Sequence, residues 1–391
     1  MMPPRDLSQL PTREVEQETK PRLAGIDAPF TVLVLLLLVI GLVALFSASY
    51  TDAYYNMDGN SFHYIIRQGL FAVVGIVAML IVSRMNYHKF HYLAIPAMIG
   101  SALLLATRFF LGSIWETHND ATRWIDLGFT EFQPSEIAKL AVIVCFASMM
   151  SIYGPKKMHT FRYGIAPYVL MLGALCGLIY SQPHFSAIVI ILGIGAVMMF
   201  VGGANLFWLG LGGGSAAVGL IAIMMTVGHS SARLQVWLNP YIDPQGKGYQ
   251  AIQSFLAIGS GGLWGVGLGQ SRQKHLFLPE APNDFIFSVW CEEMGLVGAV
   301  LVIVLFAALI MRGYYIAMRA GDKFGTLLAV GVTTQIALQT IINLFVVTGL
   351  APVTGASLPF FSYGGTSLMM LLAEVGIVLS VSRRIPAPRQ G

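Results

Sequence analysis

Ten apolar runs, each close to 20 residues long and separated by more polar stretches, constrain this chain more than any other feature. They lie at 30–49, 68–83, 92–109, 136–152, 164–180, 186–202, 206–228, 286–311, 325–349 and 364–382. An α-helix rises 1.5 Å per residue, so about 20 residues cross the roughly 30 Å of hydrocarbon in a bilayer. A soluble fold hides a few such segments in its core, but not ten. Only 11% of the residues are charged, against about 25% in an ordinary soluble domain. The expected fold class is therefore an all-α polytopic membrane protein of about ten transmembrane helices. It forms one membrane domain over 29–384, between a polar tail at 1–28, read as disordered, and a short tail at 385–391. The first run is too long, and starts too far into the chain, for a signal-peptide core, so it reads as an uncleaved span.

An even number of spans puts both termini on one side. If that side is the cytoplasm, the inner segments are 1–28, 84–91, 153–163, 312–324 and the C-terminal end. Together they hold 15 of the 23 Lys and Arg residues, whereas 350–363 holds none. The positive-inside rule thus makes both termini cytoplasmic and turns the connections 110–135, 229–284 and 350–363 outward. The longest of these, 229–284, joins spans seven and eight.

Several chemistries are excluded or unsupported. No long basic tract suggests nucleic acid. The cysteines Cys145, Cys176 and Cys291 lie singly in apolar segments, without the spacing of a metal site. HExxH, P-loop and GxSxG motifs are absent. The glycines of 259–269 miss the dinucleotide pattern because Trp264 stands where its last glycine belongs, and they read as a flexible loop.

The outward loops carry the residues that chemistry needs. Trp124 beside Arg123 suits a headgroup contact, and 229–284 contains Arg233, Trp237, Gln250, Gln253, Arg272 and Lys274. Trp, Gln and Asn stack on or hydrogen-bond to sugars, while Arg and Lys suit phosphates. Two acids stand at the lip of an apolar run, Glu280 and Asp284. A carboxylate where water meets hydrocarbon has a solvation problem, and function is the usual reason to keep one there. Asp284 reads either as a helix cap or as a working base. Glu280, after Pro279, reads as a solvated loop acid or as a partner sharing a cation or proton with Asp284. Lys139 follows Glu136 by three residues in the fourth span; an i,i+3 pair is the plain account, and an anion inside the bundle the functional one. One of Glu292 and Glu293 is expected to face a cavity and the other to be structural. Glu374 in the last span reads as a proton site or as the acceptor of a hydrogen bond from a neighbouring Ser or Thr. His184 reads as a satisfied turn residue.

Four runs in register resemble the SEDS family (shape, elongation, division and sporulation): Arg123-Trp124-Ile125 through Gln133-Pro134-Ser135-Glu136-Ile137-Ala138-Lys139, then Gly248-Tyr249-Gln250, then Leu278-Pro279-Glu280-Ala281 with Asp284-Phe285-Ile286-Phe287, and Pro359-Phe360-Phe361-Ser362-Tyr363-Gly364-Gly365-Thr366-Ser367. The likeness spans about 28–384. Its acid motif is closer to the division and sporulation branch, that of FtsW and SpoVE, than to the RodA branch. It implies a ten-span fold in the cytoplasmic membrane of a bacterium and peptidoglycan glycosyltransferase activity on lipid II. The implied partners are a class B penicillin-binding protein, a transpeptidase, and other division or elongation proteins. By motif match the catalytic aspartate falls on Asp284, the neighbouring acid on Glu280 and the cavity lysine on Lys139. Two positions depart from the common pattern: His184 replaces an aspartate, and Thr354 replaces a lysine. Each removes a charge from the outer face.

The resulting expectation is polymerisation of a lipid-linked sugar. Asp284 is the general base, assisted by Glu280, and substrate contacts come from Lys139, Arg123, Arg233, Gln250, Arg272 and Ser362. A divalent cation, Mg2+ or Mn2+, held by Asp284 and Glu280 is the alternative source of positive charge. Two other readings stay open at this point: a carrier that flips lipid II or another lipid-linked substrate, and a scaffold that docks a transpeptidase.

Overall fold

The computed structural model describes residues 25–110, 112, 115–118, 121–126, 128, 130–226 and 234–385. Most of the N-terminal tail, the last six residues and Arg233 lie outside the described residues. The helices in chain order are α1 (Ala28–Asn56), α2 (His63–Arg84), α3 (Phe90–Phe110), α4 (Pro134–Ile152), the single turns α5 (Pro155–Met158) and α6 (Phe161–Gly164), α7 (Ala166–Tyr180), α8 (Phe185–Gly202), α9 (Leu206–Thr226), α10 (Tyr249–Ser260), α11 (Ile286–Met318), α12 (Lys323–Val347) and α13 (Gly365–Ser382). Among the described residues nine helical segments are long and apolar enough to cross a membrane, and α9 adds an apolar stretch over Leu206–Gly219. Each stands on one of the runs read from the sequence. The main differences are at α1, which continues past Ser49 to Asn56, and α11, which continues to Met318.

Local chemistry fixes the helix ends. Asp27 caps α1, its Oδ1 accepting from Phe30 N at 3.0 Å, and is held by Arg312 through a two-pronged pair. Asp322 caps α12 and also accepts the Tyr87 hydroxyl at 2.6 Å. Lys323 donates to the carbonyls of Tyr153 and Gly202. These contacts gather the segments expected on the inner side at one end of the bundle. Helices α4, α12 and α13 form its interior, while α2 and α3 turn large apolar faces outward. Helix α13 packs along α2. The two backbones close at Gly376, where a Cβ would stand 2.7 Å from the Met79 carbonyl oxygen.

Two features depart from the sequence reading. Within 110–135 the chain forms three short antiparallel strands, β1 (Trp115–His118), β2 (Ala121–Asp126) and β3 (Glu131–Phe132), in the order β1-β2-β3. Thr-Arg-Trp-Ile is a strand-forming sequence, and Ile125 pairs with Trp115 on one side and Phe132 on the other. The small sheet is an addition to an otherwise helical fold.

The second departure corrects the flexible-loop reading of the glycines. Helix α11 is broken at Gly295, which has φ 64° and ψ −166°. The glycine loop docks into that break: Leu296 N donates to Gly262 O at 2.9 Å and Val297 N to Leu263 O at 3.2 Å. Val266 N and Gly267 N donate back to the carbonyls of Glu292 and Glu293, both at 3.0 Å. Irregular backbone in a membrane protein survives where its polar groups are satisfied, and here each interruption supplies the other's partners. The returning segment is fastened by the two acids themselves. Glu292 accepts from the Ser271 hydroxyl and the Arg272 and Gln273 backbone N–H groups, and Glu293 accepts from Ser47, Ser271 N and Lys274. Both acids are therefore structural, and neither faces a cavity.

A Cβ at Gly295 would meet the Gly265 nitrogen and stand 2.6 Å from Leu263 O, on a backbone conformation that side chains rarely adopt. Gly295→Ala is expected to cost about 1–3 kcal/mol, read as a lower Tm in detergent. Gly210→Ala, in open space within α9, is expected to leave the Tm unchanged or slightly raised. Equal Tm values for the two variants would contradict the docked-loop account.

Candidate active site

All three connections expected on the outer side converge on one cavity of about 1650 Å³. Its wall contains Arg123 from β2, Glu136 and Lys139 from α4, and His184 just before α8. It also contains Gln250 at the start of α10, Glu280 and Asp284 before α11, and Ser362 before α13. Six of the eight site residues read from the sequence are thus brought together. Arg272 is exposed and stands outside the wall, where its backbone N–H serves Glu292.

The acids sit on a tightly fixed turn. Glu280 has φ +57°, a left-handed conformation costing about 1–3 kcal/mol for a residue with a side chain. It accepts from Asn283 Nδ2 at 2.6 Å, and its carbonyl accepts from Asn283 N at 3.0 Å. The carbonyls of Pro282, Asn283 and Asp284 are each held from another segment. Pro282 O accepts from Tyr363 N at 2.9 Å, Asn283 O from Ser362 Oγ at 2.7 Å, and Asp284 O from Asn343 Nδ2 at 2.7 Å. Ser362 Oγ also accepts from Leu358 N at 2.8 Å, so this hydroxyl is committed to holding the turn. Gln68 of α2 donates to Ser362 O at 3.1 Å and accepts from Gly364 N at 3.2 Å, which anchors the same motif from the other side.

Asp284 and Arg123 both approach Gly355. A Cβ on that glycine, whose φ is +76°, would lie 2.8 Å from Arg123 Nη1 and 3.3 Å from Asp284 Oδ2. Arg123 Nη2 also donates to Pro183 O at 2.7 Å, which ties the small sheet to the start of α8. Lys139 is almost wholly buried and pairs with Glu136 at 2.8 Å, so the plain i,i+3 account holds while its position in the wall also stands. Lys274 is a further cation of the wall, paired with Glu293 at 3.1 Å. Arg67 and Tyr64 of α2 complete one side, with the Tyr64 ring edge-on to Tyr363 at 4.8 Å. Burial raises the Tyr363 hydroxyl above its usual pKa, and a hydrogen bond with Arg67 opposes that shift.

Sequence reasoning missed Gln68, Arg67 and Asn343. For Asn343 the available signal was a polar residue inside an apolar run, whereas Arg67 and Gln68 stand at the start of one. It also underrated His184. This ring is buried in the cavity wall, 3.3 Å from Ser135 Oγ and 3.4 Å from Gln133 Nε2. Burial lowers its pKa well below 6.5, and Arg123 and Lys139 push the same way. Glu374 does not line the cavity. It accepts from Gln335 Nε2 at 2.6 Å across α12 and α13, an amide partner rather than the Ser or Thr expected. Among the described residues no three His, Cys, Asp or Glu side chains gather as a metal ligand set. Glu280 and Asp284 fit a divalent ion only with oxygens from a substrate diphosphate completing its shell.

The His184 shift has a definite consequence for stability. The unfolded chain takes up a proton near pH 6.5 that the folded chain refuses, so this residue's contribution is full above about pH 6.5 and is lost as pH falls. His184→Gln keeps a neutral hydrogen-bonding group there. Acidification from about pH 7.5 to 5 is expected to lower the Tm of the parent protein more than that of the variant. Equal losses would contradict a neutral His184.

Comparison with known proteins agrees with this geometry. The family profile described as "Cell cycle protein", covering FtsW, RodA and SpoVE, matches residues 28–385. Stage V sporulation protein E of Bacillus subtilis (strain 168) is 41% identical over 91% of this chain and 97% of its own. The probable peptidoglycan glycosyltransferase FtsW of Geobacter sp. (strain M18) is 37% identical over 93% and 98%. Among solved structures, a chain of a peptidoglycan synthase complex superposes with TM-score 0.75 at 29% identity, covering 94% of this chain and 99% of that one. The rod shape determining protein RodA of Thermus thermophilus superposes with TM-score 0.67 at 28% identity, covering 93% and 98%. With a family profile matched over residues 28–385, and sequence and fold likeness along nearly its whole length, this chain belongs to the SEDS family of FtsW, RodA and SpoVE.

Proposed function

We propose that this protein is a peptidoglycan glycosyltransferase that polymerises lipid II on the outer face of the cytoplasmic membrane, with Asp284 as its general base. The observation that carries the reading is the convergence of Asp284 and Arg123 on Gly355, in a cavity whose wall also presents Lys139, Lys274 and Arg67. A sugar hydroxyl of the acceptor attacks the anomeric carbon of the donor, and the bond from that carbon to the lipid diphosphate breaks. The hydroxyl proton passes to the Asp284 carboxylate. The leaving diphosphate gains negative charge, which fixed cations stabilise without reorganising. At about 1650 Å³ the cavity exceeds the roughly 300–1,000 Å³ of an ordinary small-molecule pocket, as a disaccharide-sized donor and acceptor require.

Residue roles follow from position. Lys139 and Arg123 face the diphosphate, and Gln250 contacts sugar. Glu280 shapes the turn that carries Asp284. Ser362 and Tyr363 hold that turn, so the Ser362 contribution is to geometry rather than to substrate contact. A divalent ion bound by Glu280 and Asp284 would add positive charge beside the diphosphate. Orientation rests on the sequence, in which the segments expected to be cytoplasmic hold 15 of the 23 Lys and Arg residues. A class B penicillin-binding protein is the proposed partner, supported by the likeness to a chain of a peptidoglycan synthase complex. Higher identity to SpoVE and FtsW than to RodA favours a role in division or sporulation over elongation. The carrier reading has less support: Glu374, the acid that suited it best, is bonded to Gln335 away from the cavity wall.

Purified Asp284→Asn is expected to fold and to bind lipid II, yet to lose at least about 10²-fold in polymerisation rate with or without the transpeptidase. Glycan chains from this variant at the parent rate would contradict the assignment. Headgroup transfer across liposomes by the parent protein, without polymer, would replace it with the carrier.

A further inference from the structure

We infer that Asn343, which is not itself part of the cavity wall, is the positioning residue that sets the Asp284 carboxylate beside Arg123. This rests on the reading of Asp284 as the base. Asn343 lies in α12, fully buried, and is not part of the cavity wall. Its single amide nitrogen donates both of its protons to main-chain carbonyls from distant parts of the chain, Asp284 O at 2.7 Å and Ala356 O at 2.7 Å. Ala356 adjoins Gly355, the residue that the Asp284 and Arg123 side chains both approach. One nitrogen therefore sets the distance between the backbone carrying the base and the backbone lying under it.

The residue type is specific to this task. A primary amide offers two donors on one atom, which a hydroxyl or a carboxylate does not. Asp284 precedes the first turn of α11, and the carbonyl that accepts from Ser288 N and Val289 N belongs to Phe285. The Asp284 carbonyl takes its partner from α12 instead. Of the three carbonyls held in succession at 282–284, the first two are held by the 359–367 motif and only the third by a membrane-spanning helix. Ser362 and Tyr363 fix where the turn lies. Asn343 fixes Asp284 itself to the bundle interior.

The test compares Asn343→Ala, Asn343→Asp and Asp284→Ala, purified in detergent, by polymerisation of lipid II and by direct lipid II binding. For Asn343→Ala the expected result is a loss of about 10²-fold in kcat, with KM and binding within about threefold of the parent. The acid limb of the kcat–pH profile should also move to higher pH, because a carboxylate further from Arg123 protonates more readily. Asn343→Asp, which keeps the shape and loses both donors, is expected to behave alike. Should it fail to fold, the uncharged alanine variant carries the test alone. An unchanged kcat in Asn343→Ala, or kcat and binding falling together with an unmoved pH limb, would overturn the inference. Activity in Asp284→Ala would instead remove the base reading on which it rests, so the two failures are distinguishable.

Discussion

A charged group below the outer edge of a lipid bilayer persists only where the protein answers its charge, and this bundle does so pair by pair. Lys139 is matched by Glu136 and Lys274 by Glu293. An isolated buried ion costs several kcal/mol, and removing one partner of such a pair is far more damaging than removing both. Because Lys139 and Lys274 carry their own counter-ions, the cavity wall presents buried cations before any substrate arrives. In the function proposed above, the leaving diphosphate is stabilised by cations already fixed in place, with little reorganisation.

The backbone around Asp284 shows the same economy. Glu280 and Phe360 both hold left-handed conformations, and residues with side chains stay there only when their surroundings over-determine them. Those surroundings are visible: two motifs far apart in sequence, 278–287 and 359–367, hydrogen-bond to each other, and α2 and α12 hold the result through Gln68 and Asn343. The docked glycine loop plays a parallel part below the turn. It fills the break in α11 at Gly295 and brings Lys274 back up to the cavity wall. Two interrupted segments that complete each other are stiffer than either alone.

Much of this was legible in the residues. Apolar runs of membrane-crossing length located the helices, because hydrocarbon thickness sets that length directly. Acids and cations at the outer ends of those runs located the cavity, since charge is costly there and rarely accidental. The rest depended on contacts that sequence spacing does not encode. The glycines of 259–269 looked mobile because glycine permits both looseness and close approach, and only the broken helix beside them decides which. Asn343 and Gln68 went unnoticed because their importance lies in carbonyls 59 and 294 positions away. Arg272 carried the right charge, but its backbone rather than its side chain was engaged. His184 was read as a quiet turn residue, whereas the fold sets it within reach of the charges of Arg123 and Lys139.

The most direct test is an experimental structure of the protein holding two lipid-linked disaccharide substrates, with the donor made unreactive. The account predicts an Asp284 carboxylate oxygen within about 3 Å of the acceptor's attacking hydroxyl, with the donor diphosphate against Arg123 and Lys139. An acceptor hydroxyl bonded to some other group, or a diphosphate seated away from those two cations, would contradict it.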